Sequence, residues 1–139
     1  MIQRIQSIYL FVGALIVGSF VFTEWSVTMD STWSWLMPTT RILAVVTAII
    51  GIGAIFLYNN RSQQRKMVVW VQLLAVLFLL LVFLLVLLGD QLPKLYSDGL
   101  NIWMLLSLAG PVVAYALFFL ARRSIDKDIA LIRSMDRIR

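Results

Sequence analysis

The strongest pattern in the chain is an apolar run from Met67 to Leu88, 22 residues without a charge, a glycine or a proline and with one polar side chain, Gln72. At about 1.5 Å per residue such a helix is roughly 33 Å long, the thickness of the hydrocarbon of a bilayer. Its apolar positions run all the way round instead of forming a stripe, so no face suits water. Three further apolar stretches accompany it. Residues 5–23 form the first, 41–58 the second and 100–121 the fourth, with 67–88 as the third. Residues 122–139 follow as a polar tail in which Ile125, Ile129, Leu131, Ile132, Met135 and Ile138 recur at helical spacing, interrupted by Asp128 and Asp136. The pattern predicts one all-α domain over 1–139: a four-transmembrane-helix bundle with a short amphipathic helical tail.

The connectors differ in character. Thr23 to Thr40 holds Trp25, Trp33, Trp35 and Pro38, and reads either as a segment anchored at headgroup level by its indoles or as an aromatic ligand clamp; anchoring is the simpler reading. Asn59 to Lys66 is a hydrophilic break with Arg61, Arg65 and Lys66, and Gly89 to Gly99 is a short turn. The first apolar run follows Arg4 as a signal peptide would, but no small-x-small cleavage site follows it, so a retained span is expected. Pro111 in the fourth run predicts a bend, and Tyr115 lies deep enough to require a partner for its hydroxyl.

Small residues mark helix contacts. Ala44, Thr47, Ala48, Gly51 and Ala54 fall within an arc of about 120° on a helix, and Ser107, Gly110, Ala114 and Ala121 form a second stripe. Such faces let helix backbones approach closely where lipid supplies no hydrophobic drive, although an Ala/Gly-rich segment can also show them by chance.

Composition agrees with a membrane protein: 61% of the 139 residues are apolar and 14% charged, against about 45–50% and 25% in soluble domains. The net charge of +5 is confined to juxtamembrane segments, which points to anionic headgroups and away from nucleic acid. Four crossings put the N-terminus, the Asn59–Lys66 break and the tail on one side, with ten of the twelve basic residues; the other side holds Arg41, Lys94 and four acids. The positive-inside rule then places both termini in the cytoplasm.

Candidate chemistry is sparse. With no cysteine and no histidine, thiolate and imidazole chemistry are excluded, and no catalytic, cofactor-binding or metal-binding set stands out. The predicted hydrophobic interior holds no carboxylate, which argues against a proton-coupled carrier. Gln72 reads as a hydrated side chain near the inner interface or as a helix–helix hydrogen-bonding group, and Asp126, Asp128 and Asp136 as ion-pair partners of neighbouring arginines.

The opening Met1-Ile2-Gln3-Arg4-Ile5-Gln6-Ser7 and the closing Ile132-Arg133-Ser134-Met135-Asp136-Arg137-Ile138-Arg139 resemble an uncharacterised, DUF4293-like family of bacterial four-helix inner-membrane proteins. The resemblance implies a multi-pass inner-membrane location and no activity. Both ends fall on the same side, so Gln3, Arg4 and Gln6 with Arg133, Asp136, Arg137 and Arg139 are a candidate patch for a partner or for lipid, with Arg4 near Asp136; two separate solvated basic segments are the alternative. The expected function is non-enzymatic, an accessory or scaffolding subunit bound to other membrane proteins or to itself. A small oligomeric transporter or pore is the second reading.

Overall fold

A computed structural model describes residues 2–22, 34–88 and 102–136. They are helical: α1, Ile2–Ser19, is extended by one 3-10 turn, Phe20–Phe22; α2 is Leu36–Phe56, α3 Arg61–Leu88 and α4 Ile102–Asp136. Each helix packs mainly against two others, in the cyclic order α1, α2, α3, α4 and back to α1. Chain neighbours are therefore spatial neighbours, as in an up-down-up-down bundle. All four helices are long and apolar enough to cross a membrane. Their outer surface is apolar too, with Phe11, Leu15, Ile49, Leu73, Leu80, Phe83, Val112 and Phe119 exposed, far more than a water-soluble protein of this size displays.

Several boundaries move from those the hydropathy predicts, each for a local reason. α2 begins at Leu36, not after Thr40, because Pro38 falls in its first turn, where a missing N–H has no intrahelical partner to lose. Thr39 and Thr40 donate their hydroxyls to the carbonyls of Trp35 and Leu36, at 2.7 and 2.8 Å, and so join the helix without a polar cost. α3 begins at Arg61, six residues before the apolar run. Asn60 caps it, its Oδ1 accepting from the Gln63 N–H at 3.3 Å and its carbonyl from Gln64 at 2.9 Å, which narrows the hydrophilic break to the turn Leu57–Asn60. α4 runs through a buried Pro111 and on to Asp136, so residues 122–136 continue the fourth helix. At 35 residues it is about 52 Å long, well beyond the ~30 Å hydrocarbon of a bilayer. Tyr115 faces outward from it, half exposed.

The core is built by close approach. On α2, Ala44, Thr47, Gly51 and Ala54 are buried and Ala48 is half-buried; on α4, Ala114 is buried and Gly110 half-buried. A Cβ at Gly18 would meet the Ala48 Cβ at 3.5 Å, one at Gly51 the Ala14 Cβ at 3.4 Å, and one at Gly110 the Ile16 Cγ2 at 3.5 Å. Thr47 returns its hydroxyl to the Leu43 carbonyl at 2.7 Å, so its burial leaves no unsatisfied group. Phe118 of α4 is fully buried against Gly13 of α1 and Gly51 of α2, and Phe20 meets Phe78 edge to face at 5.1 Å between centroids.

Candidate functional site

Polar side chains collect at the end of the bundle where α1 and α3 begin, α2 ends and α4 passes beyond them. The reason begins in the sequence of α3. Its first two turns carry Arg61, Arg65 and Lys66, cations at the positive end of a helix dipole, an arrangement unfavourable by itself. Two carboxylates from α4 offset it. Arg61 Nη1 lies 3.3 Å from Asp128 Oδ2, and Arg65 Nε donates to Asp126 Oδ1 at 2.5 Å. Arg61 and Arg65 stand one helical turn apart on α3, whereas Asp126 and Asp128, two residues apart, lie on different faces of α4, so the two pairs are separate rungs between the helices.

The rungs differ in burial. Arg65 and Asp126 are 44% and 40% exposed, and Asp126 is shared with Arg122 at 3.9 Å in the same helix. Asp128 is only 6% exposed, and the same oxygen that faces Arg61 accepts a hydrogen bond from Gln6 Nε2 of α1 at 2.5 Å. One buried oxygen atom thus joins α1, α3 and α4, across 122 residues of sequence. Two further buried amides continue the network: Gln64 Nε2 donates to the Ala54 carbonyl near the end of α2 at 3.1 Å, and Gln72 Oε1 accepts from Arg122 Nη1 at 3.2 Å. All four helices are tied together at this end.

Beyond Asp126 the end of the bundle opens into a groove of about 600 Å³ between the start of α3 and the end of α4, lined by Arg61 and Arg65 on one side and by Asp126, Ile129, Ala130 and Ile132 on the other. Six cationic side chains, Arg61, Arg65, Lys66, Arg122, Arg123 and Lys127, stand against the two carboxylates among the described residues of this end.

Of the residues that the sequence marks as a patch, Gln6 is buried and donates to Asp128 of α4. The side chains of Gln3, Arg4, Arg133 and Asp136, and residues Arg137 and Arg139, lie outside the described residues, as does the side chain of Ser107; so do Trp25, Trp33 and the 89–101 connector. Gln72 is buried and serves as a helix–helix hydrogen-bonding group, accepting from Arg122 of α4. Asp126 has one ion-pair partner in its own helix, but both acids also pair with an arginine of α3. The sequence predicts no carboxylate inside the bundle, yet Asp128 is buried, at the polar end. The signal that could have found it was its position on the apolar face of Ile125, Ile129 and Ile132, where an acid must have a partner from another helix. Gly13 was also missed, and nothing local distinguishes it from Gly53.

Residues 2–138 match the family described as Domain of unknown function (DUF4293). No curated protein and no solved structure matches the chain.

Proposed function

We propose, since the chain belongs to the DUF4293 family and that description assigns no activity, that it is a non-enzymatic scaffold: a multi-pass protein of the bacterial inner membrane that holds a rigid, cationic platform at the cytoplasmic face for another membrane protein. The observation that supports this most is the network at one end of the bundle, where Gln6, Gln64, Gln72 and Asp128 are buried and each is bonded to another helix. Buried polar groups that bond across to a neighbouring helix favour one arrangement of the helices. Here they hold a charged, grooved surface in a fixed shape. The excess of cations at that end, with the positive-inside rule, supports cytoplasmic termini, and the same surface attracts anionic headgroups.

Purification from native membranes in a mild detergent tests the reading. A different polypeptide in fixed stoichiometry is the expected result. A homo-oligomer with a polar central cavity and no other protein overturns it in favour of a pore. Orientation has its own test: a fluorescent protein that matures only in the cytoplasm, fused to either terminus, is expected to fluoresce, whereas an alkaline phosphatase fusion active at either end refutes cytoplasmic termini.

A further inference from the structure

We infer that the groove between the start of α3 and the end of α4 binds an amphipathic, acidic segment of a partner protein approaching from the aqueous side. The inference rests on the scaffold reading and names its contact surface. Three observations support this occupant. The groove lining is net cationic, with Arg61 and Arg65 one turn apart against a single carboxylate, Asp126, and the end of the bundle in which it lies also carries Lys66, Arg122, Arg123 and Lys127. An acidic ligand complements that charge, and a second copy of this chain, equally basic here, does not.

The second observation is the order of the lining residues along α4. Asp126 faces Arg65, and because α3 and α4 run antiparallel, Ile129 and Ile132 lie farther from the centre of the bundle, about 4.5 and 9 Å beyond Asp126 along the helix. A bilayer lipid whose phosphate sat on the arginines would send its acyl chains the opposite way, back along the bundle. The apolar part of the groove is therefore on the wrong side for a lipid. It is on the right side for a peptide that lays carboxylates on the arginines and apolar side chains on the isoleucines. Third, the wall is already fixed: Asp126 and Asp128 hold both guanidiniums at one edge, and each guanidinium has five N–H donors, more than one carboxylate contact uses.

Replacing Ile132 by a benzophenone-bearing amino acid and irradiating native membranes tests this with the full chain. The expected result is an adduct to another polypeptide, at a segment with at least two Asp or Glu within four residues of an apolar side chain. Its yield is expected to fall at least tenfold in Ala130→Trp, which fills the groove from an exposed position while leaving every charge in place. If that variant does not fold, Ser62→Trp, exposed on α3 at the opposite wall, replaces it. An adduct to lipid, to a second copy or to a segment without acids overturns the inference, as does an absent adduct or a yield that the tryptophan leaves unchanged. A stoichiometric partner that co-purifies without cross-linking at residue 132 refutes the groove and leaves the scaffold standing; with no partner at all, both fall.

Discussion

Replacing Asp128 with alanine is expected to destabilise the bundle by about 2–3 kcal/mol, a large share of the stability of a domain this size. The substitution removes the one acceptor that Gln6 and Arg61 share. Gln6 is 4% exposed, so its amide would lose its partner where water hardly reaches; an orphaned buried donor costs about 1–3 kcal/mol. Arg61 would lose its counter-charge at the positive end of α3, although at 29% exposure it can turn partly to water, which keeps the total below the full cost of breaking a buried pair. Asp128→Asn keeps an acceptor for Gln6 and is expected to lose about 1 kcal/mol. Arg65→Gln breaks the neighbouring rung, exposed on both sides, and should cost less than about 1 kcal/mol. Thermal unfolding of the purified variants in detergent checks the order. If Arg65→Gln proves as damaging as Asp128→Ala, the buried oxygen is not what ties the three helices together.

A leucine at Gly13 should be at least as disruptive, by about 3 kcal/mol, with alanine there losing about 1–2 kcal/mol. A Cβ at this position would lie 2.8 Å from Phe118 Cε1, closer than carbon atoms pack. The ring is rigid, fully buried and also touches the Gly51 position at 3.6 Å, so it has little space into which to move. In an ordinary helix the same change to alanine stabilises by about 1 kcal/mol, and at Gly53, where a Cβ meets nothing within 4 Å, Gly→Ala is expected to be neutral or to gain up to about that amount. Opposite signs for one substitution at two glycines isolate the packing effect from helix propensity. Phe118→Leu in the Gly13→Ala background should recover part of the loss. Unfolding midpoints that fall equally at both glycines would refute the close contact.

How far this architecture can be read from residues alone follows from what each property sums over. A helix apolar enough to cross a membrane is an average over some twenty positions, and an average survives errors at single residues; the run Met67–Leu88 could only be a long apolar helix. Helix ends are decided by one or two residues and were harder. Pro38 and Asn60 look like loop residues in a window, yet one sits in the first turn of α2 and the other caps α3.

The candidate site lies at the far end of that scale. That Asp128 needs a partner is written in its position among Ile125, Ile129 and Ile132. Which partner it takes is not, because Gln6 and Arg61 are 122 and 67 residues away and reach it only at one rotation and one vertical register of α1 and α3 against α4. Likewise Gly13 and Gly53 are equivalent in sequence, and only the direction of the Phe118 side chain makes one intolerant of a methyl group. Sequence by itself therefore determined a chain of four apolar helices with most of its cations clustered at Arg61–Lys66 and in the tail. Tertiary structure alone decided which charges meet, which amides are buried and where a groove remains, because these depend on how helices turn towards one another, a quantity that no hydropathy pattern contains.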